Sequence, residues 1–357
     1  MHGTVQEMQE DAMQHEITAP LDLLDSEGFI IEEGWARKPF WNYDRKRIVA
    51  PWHRIKEWDY YAVLSHDKRY GITFTVADLS YIALCAVCWL DFNSKTFVQL
   101  DTIKPLTRGR TGFPSSSASG DLFYEDKKIK LAFVVKDARR ILSVSAPSFV
   151  FPDGSHGLTA TIELEQDPDM DTMAIATSWK ENRRAFYYNQ KINCMPAQGT
   201  VTIGSRSYQF SPKTDFGCLD WGRGNWTYRN RWYWGSASGL VRGDPFGWNI
   251  GYGFSDRTPA SENMLFYKGK AHKLQEVVFH IDTGDYMKPW KFTSNDGRFD
   301  MDFVPIVDRS SSMNLLVMKS IQHQVFGTFS GRVILDDGKR LDIENFLGFA
   351  EDVLNWW

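Results

Sequence analysis

Gly71-Ile-Thr-Phe-Thr-Val-Ala-Asp-Leu-Ser-Tyr-Ile-Ala-Leu-Cys-Ala-Val-Cys-Trp-Leu90 holds two short apolar runs separated by a polar break. Gly71–Val76 is β-branched and aromatic, and Tyr81–Leu90 is apolar throughout. Both have the length of strands, and the second reads as a strand buried on both faces. Cys85 and Cys88 stand at CxxC spacing inside it. Residues three apart in a strand face opposite sides, which makes a shared metal or a redox pair awkward. They are expected to pack as small hydrophobes. No second CxxC and no HxxxH follows, and with only Cys194 and Cys218 besides, the reducing cytosol is the expected compartment.

Runs of the same kind recur on either side. Tyr60–Leu64, Thr96–Leu100, Ile129–Val135, Ile141–Val144, Leu158–Leu164, Thr200–Ile203, Val277–Ile281, Phe299–Val304, Asn314–Met318 and Gly331–Leu335 are each bounded by turn-forming residues. Asp153-Gly154, Asp296-Gly297 and Asp337-Gly338 fall between strand-like runs, and glycine tolerates the positive φ a hairpin needs there. Helical periodicity is scarce. Leu21–Ser26 has the makings of one short turn, and Asp215–Asn225 shows no period at all. The pattern predicts an all-β, mainly antiparallel protein with few short helices. So many strands exceed one comfortable open sheet, so two β-units are expected. Asn193-Cys-Met-Pro-Ala-Gln-Gly199 reads as a turn or linker. It sets the expected organisation: a flexible leader over 1–14, one β-unit over 15–195 and a second over 196–357. Ser115–Gly120 reads as a flexible loop after Arg108-Gly-Arg110.

Composition narrows the function classes. The chain has 357 residues and a formal charge of -4, which argues against an electrostatic nucleic-acid binder. The hydrophobic set is 43% and charged residues 24%, which suits a folded protein rather than a disordered one. Residues 1–15 are acidic and lack the apolar core of a secretory signal. The longest apolar stretch is about half of what a bilayer requires, so no integral membrane association is expected. Aromatic residues reach 15%, enough to fill a bulky core or to line a cavity for a hydrophobic or amphipathic small molecule.

The densest chemistry lies in Asp215-Phe-Gly-Cys-Leu-Asp-Trp-Gly-Arg-Gly-Asn-Trp-Thr-Tyr-Arg-Asn-Arg-Trp-Tyr-Trp234. A carboxylate among guanidiniums and indoles is costly to bury unless it is paired. Asp220 is therefore either a general acid or base in an aromatic pocket, or half of an Asp–Arg bridge that pins a turn. Burial would raise its pKa and Arg223 would lower it. If Arg229–Trp234 is a strand, Arg229, Arg231 and Tyr233 share one face and Asn230, Trp232 and Trp234 the other. Facing inward, the arginines would clamp an anion; facing solvent, they would mean little. The carboxyl-terminal stretch Leu341–Trp357 brings Glu344 and Glu351, with no histidine beside either.

Standard signatures are missing: no P-loop, no HExxH, no GxSxG elbow, and only the fragment Gly222-Arg-Gly224 of a GxGxxG. The histidines are scattered, and His323 reads as an ordinary strand residue. No metal and no other cofactor is expected.

The ordered motifs Glu16-Ile-Thr18, Gly34-Trp-Ala-Arg37, Lys56-Glu-Trp-Asp-Tyr-Tyr61, Asp220-Trp-Gly-Arg-Gly224 and Gly348-Phe-Ala-Glu351 resemble a bacterial family catalogued as domain of unknown function 2804. The resemblance covers residues 14–357 and implies no established activity. More distantly, the chain is similar to lipocalin-like proteins grouped with carotenoid 1,2-hydratase. That likeness implies two consecutive calycin-like units and an apolar cavity in which terpenoid hydratases and pericyclases work. In those hydratases an Asp protonates an isolated double bond, and Asp220 stands in a comparable place. Gly222-Arg223 replaces the His-Glu that the resemblance leads one to expect.

Together these readings favour an enzyme over a passive carrier. It would bind a hydrophobic or amphipathic small molecule and hydrate, isomerise or cyclise it by acid–base chemistry, with Asp220 as the acid–base group. Arg223, Arg229 and Arg231 would orient a polar head, Trp221, Trp226 and Trp232 would line the cavity, and Glu351 would join the substrate-binding set by bonding an Arg of the central segment. The rivals are a non-catalytic lipid or fatty-acyl carrier, and a carbohydrate-active protein using Asp220 and Glu351 as its carboxyl pair.

Overall fold

A computed structural model describes residues 14–315 and 318–357. Of the expected leader, residues 1–13 lie outside that range. Gln14 is tied down: its side chain donates to Leu274 O (3.0 Å) and accepts from Ser261 N (2.7 Å).

The first part of the chain forms β1 (Leu21–Asp22), β2 (Gly34–Ala36), β3 (Trp41–Asn42), β4 (Ile55–Ser65), β5 (Tyr70–Asp78), β6 (Ile82–Asp91), β7 (Thr96–Pro105) and β8 (Leu122–Glu125). It continues with β9 (Lys130–Lys136), β10 (Arg139–Val150), β11 (His156–Glu165), β12 (Met173–Trp179), β13 (Asn182–Ile203), β14 (Arg206–Phe210) and β15 (Asp215–Asn225). The rest forms β16 (Arg229–Val241), β17 (Asp244–Tyr252), β18 (Met264–Tyr267), β19 (Lys270–Lys273), β20 (Val277–His280), β21 (Trp290–Ser294), β22 (Phe299–Leu315), β23 (Met318–Ile334) and β24 (Arg340–Trp356). The helices among the described residues are two 3-10 turns, Arg45–Arg47 and Trp52–Arg54. Leu21–Ser26 is not a helical turn. Its first residues pair with Trp41–Asn42, and Leu24 bridges to Ile30.

Two antiparallel sheets carry the fold. The first has 13 strands, with the path β7-β6-β5-β4-β15-β13-β11-β10-β9-β8 and β2, β12 and β14 attached through β12 and β13. The second has nine, in the order β19-β18-β17-β16-β24-β23-β22-β21-β20. Each curls as a half-barrel around its own apolar core, and two further clusters, around Trp234 and Trp226, join the sheets. The three Asp-Gly pairs turn β10 into β11, β21 into β22 and β23 into β24, with Gly154, Gly297 and Gly338 at φ of 82°, 68° and 81°.

Asn193–Gly199 is not a linker. It lies within β13, whose first half pairs with β12 and β15 and whose second half pairs with β11 and β14. The register shifts between Ile192 and Met195, and Cys194 sits there at φ 59°. Its turn-like composition marks a bulge that lets one strand serve two directions. The Cys194 amide and the Asn193 amide group bond Ser238 and Ser236 on β16, so the bulge also fastens the sheets together. Sheet membership changes later, between Asn225 and Arg229.

Cys85 and Cys88 face opposite ways, into the first sheet's core and into the inter-sheet cluster around Trp234. All four cysteines are free and buried, and burial pushes Cys85 and Cys194 up to about 12 and Cys88 and Cys218 to about 11. Thiolate is the reactive form. The native protein is therefore expected to give almost no fast reaction with dithionitrobenzoate, and the denatured chain the full four thiols. Rapid native labelling of Cys85 or Cys88 would contradict this packing.

A candidate acid–base site between the two sheets

β15 lies between β4 and β13, and all its residues are buried. Both faces are covered, by the first core and by the second sheet, so no polar–apolar alternation marks it. The strand still sorts its side chains by parity. Leu219 and Trp221 enter the first sheet's core, and Cys218 faces the second sheet. Asp220 joins Cys218 there, and Arg223 joins Trp221.

Asp220 bonds Asn189 (Nδ2 to Oδ1, 2.6 Å) and forms a salt bridge with Lys191 (Nζ to Oδ2, 2.9 Å), both on β13. The Lys191 ammonium lies 3.9 Å from the centre of the Trp234 ring, and the Trp234 indole donates to Asn249 Oδ1 at 2.6 Å. Asn249 in turn holds the Glu262 carbonyl at 2.8 Å, and the Tyr187 hydroxyl reaches the Glu262 carboxyl at 3.4 Å. Glu351 on β24 is directly opposite Trp234 on one side and Gln324 on the other. Gln324 accepts from Tyr60 (3.3 Å) and Arg309 (2.7 Å). The result is a buried polar network that spans both sheets, in which Lys191 pairs with Asp220 and its charge also acts on the carboxyls of Glu262 and Glu351.

Glu351 is 9% exposed, and among the described residues no hydrogen bond or ion pair holds its carboxyl. Burial pushes its pKa to about 8; Lys191 and Arg309 oppose the rise, and Asp220 and Glu262 add to it. Burial also raises Glu262, with Lys191 opposing. A carboxyl group that keeps its proton at neutral pH is a proton donor.

An aromatic wall adjoins the network. Trp226 stacks on Phe254 (5.1 Å) and meets Trp179, Trp58, Tyr187, Trp232 and Trp357 within 6.1 Å. Trp58 stacks on Tyr187 (6.2 Å, 19°) and lies across Gly222, where a Cβ would fall 2.1 Å from the indole. Glycine is needed there to let the ring cross the strand.

Of the residues expected from sequence, Asp220, Trp226, Trp232 and Glu351 converge on the space between the sheets. Trp221 and Arg223 occupy the opposite face of β15, where the Arg223 guanidinium stacks 3.9 Å from Trp221 and bonds Asp59 at 2.9 Å. Lys191, not Arg223, is the cation on Asp220. Arg229 and Arg231 face away on β16: Arg229 is exposed over Trp356 (4.6 Å), and Arg231 forks onto Asp352 (2.8 and 2.6 Å). They do not clamp the inter-sheet space. Tyr187, Asn189, Lys191 and Glu262 were not anticipated. The signal was the i, i+2, i+4 spacing of Tyr187-x-Asn189-x-Lys191. A concavity of about 480 Å³ opens on the solvent side of β8 to β11, and a void of about 10 Å³ lies beside Asp59 and Arg140; neither includes Asp220 or Glu351. No helix of the described residues is long and apolar enough to cross a membrane.

The same fold occurs in solved structures of low identity. CghA is 10% identical, covering 95% of this chain and 97% of its own, with a TM-score of 0.54. CghA with Sch210972 is 9% identical, covering 85% and 88%, at 0.51. An AttH candidate from Nitrosomonas europaea is 12% identical, covering 85% and 92%, also at 0.51. No curated protein matches the chain. The family described as Domain of unknown function (DUF2804) matches residues 14–357, and the chain belongs to it.

Proposed function

We propose that this protein takes a hydrophobic or amphipathic small molecule between its two sheets and transforms it by proton transfer from its own side chains, as a hydratase, isomerase or cyclase. One arrangement carries the reading: the Glu351 carboxyl is buried without a hydrogen bond or ion pair near the Lys191–Asp220 pair, and burial pushes its pKa to about 8. Glu351 gives its proton to a carbon–carbon double bond. A C–H bond forms, and the π electrons leave a cation that the neighbouring indole faces stabilise. Water or an internal nucleophile then closes on the cation, and Asp220, held by Lys191 and Asn189, accepts the released proton. Asn189 Oδ1 and the Trp226 indole N–H are buried and unpartnered, and they offer an acceptor and a donor to the polar end of a ligand. A solved CghA structure with Sch210972 shares this fold; here neither void reaches Asp220 or Glu351, so the sheets must part to admit a ligand.

The test starts from native mass spectrometry of protein purified from its own host, to identify a retained molecule. That molecule is then incubated with the enzyme in D2O. Deuterium should enter the product at carbon, and Glu351→Gln should lower turnover by at least about 100-fold while ligand retention persists. Wild-type turnover by Glu351→Gln would remove Glu351 from the chemistry. A ligand retained but never altered would make the protein a carrier.

A further inference from the structure

The acid–base reading leaves the concavity of about 480 Å³ on the outer side of the first sheet without a role. Its floor is laid out by strand register. Phe123, Ala132, Ser143, Thr161 and Thr200 stand opposite one another on successive strands from β8 to β13, and Ser145, Thr159 and Thr202 form a second row two residues along. These side chains point outward, because residues of the other parity, such as Leu131, Val144 and Ala160, enter the core. Steps along a row therefore follow the strand spacing of about 4.8 Å. The outer face of the second sheet is a contrast: Lys291, Asp300, Asp302 and Arg332 pair there as on an ordinary solvated sheet. The floor here carries no charged side chain, and Glu125 and Lys130 close one corner as a pair at 2.6 Å. Among the described residues, nothing in the protein bonds the hydroxyls of Ser143, Ser145, Thr159, Thr161 and Thr202. Phe123 ends the first row as a phenyl ring 61% exposed.

We infer that this groove binds a neutral carbohydrate chain, laid across the strands with one sugar ring against Phe123. A hydroxyl both donates and accepts, so rows of free hydroxyls suit a ligand whose own groups do both and carry no charge. The phenyl ring asks for an apolar C–H face on that same ligand, and a pyranose has hydroxyls around its edge and C–H bonds across its face. The strand spacing is close to the length of one sugar unit in a linear chain, so successive units meet successive strands. A lipid or an apolar protein surface would set these hydroxyls against groups that cannot bond them, at a cost for each. The groove lies on the far side of the first core from Asp220 and Glu351, and it stands or falls apart from the acid–base reading.

The full chain is run in native gels cast with glycogen, with hydroxyethyl cellulose or with no polysaccharide. At least one polymer should slow it, and equally at low and high salt, because no charge takes part. Slowing by glycogen alone identifies an α-linked glucan, and by hydroxyethyl cellulose alone a β-linked one. Phe123→Ala and Thr161→Val change exposed side chains and should leave Tm within about 2 °C of the wild type. Each should weaken the binding at least about tenfold, while Glu351→Gln is slowed like the wild type. No slowing by either polymer, or slowing that persists in both groove variants, would overturn the inference.

Discussion

Glu351→Gln is expected to make the protein more stable at pH 7.5 than the wild type, by about 2–3 kcal/mol or roughly 3 °C in Tm. The pKa of Glu351 rises from 4.5 in the unfolded chain to about 8 in the fold, chiefly through burial. Between those values the unfolded chain has lost the proton and the folded protein keeps it. The folded state binds more protons, so stability falls as pH rises from about 4.5 to about 8 and stays lower above that. The full linkage is about 3 kcal/mol at pH 7 and about 5 above pH 8, less what a glutamine amide costs by lacking partners in the same place. Burial lowers Lys56 and Lys273 to about 7, which gives stability that rises with pH between about 7 and 10.5. Those lysines act in both proteins, so the difference between the two curves isolates Glu351. Denaturant unfolding at intervals from pH 5 to 8.5 measures it. Parallel curves for the two proteins would mean that Glu351 ionises normally. A residue whose removal stabilises the fold while abolishing turnover is one kept for chemistry.

The strands were legible in the sequence because their signals are local. Asp153-Gly154 and its two counterparts need a positive φ, and Cys85 and Cys88 sit in a run too apolar for anything but a buried strand. What failed to show was how far a strand runs and what lies on each side of it. Asn193–Gly199 looks like a linker because a bulge uses the same residue types as a turn. β15 shows no alternation because both its faces are covered. The site was half legible for the same reason. Asp220 and Arg223 lie three apart and look like neighbours in the sequence, yet in a strand that spacing puts them on opposite faces. The partner of Asp220, Lys191, is 29 residues earlier and reaches it only through the β13–β15 register. Glu351 joins from the far end of the chain through β24, a meeting that depends on the packing of two sheets and leaves no local trace. Trp226, Trp232 and Glu351 were recognisable by type, and their convergence was not.

Arg223→Met should be the most destabilising single change in this region, costing about 3–5 kcal/mol. The Arg223 guanidinium is fully buried and donates to Asp59 Oδ1 (2.9 Å), Trp58 O (2.9 Å), Gly222 O (2.8 Å) and Pro114 O. Methionine would keep much of the contact with Trp221 and Phe113 and lose every one of those bonds. Burial raises Asp59, and the Arg223 charge is what chiefly opposes that rise. Without it Asp59 must either stay charged with no fork beside it or take up a proton. Taking up a proton makes stability fall as pH climbs past the ordinary carboxylate range. Glu57 is cushioned, because Arg45 (2.5 Å) and the Tyr43 hydroxyl (2.9 Å) remain on it. The cost therefore centres on Asp59, and Asp59→Asn placed in the Arg223→Met background should recover at least half of it. A double-mutant cycle of urea midpoints at pH 7 gives that coupling. Arg223→Lys should rescue little, because one ammonium cannot serve Asp59 and three carbonyls lying in different directions. A loss below about 1 kcal/mol in Arg223→Met, or no recovery from Asp59→Asn, would show that stacking on Trp221, and not the buried ion pair, holds this face of β15 in place.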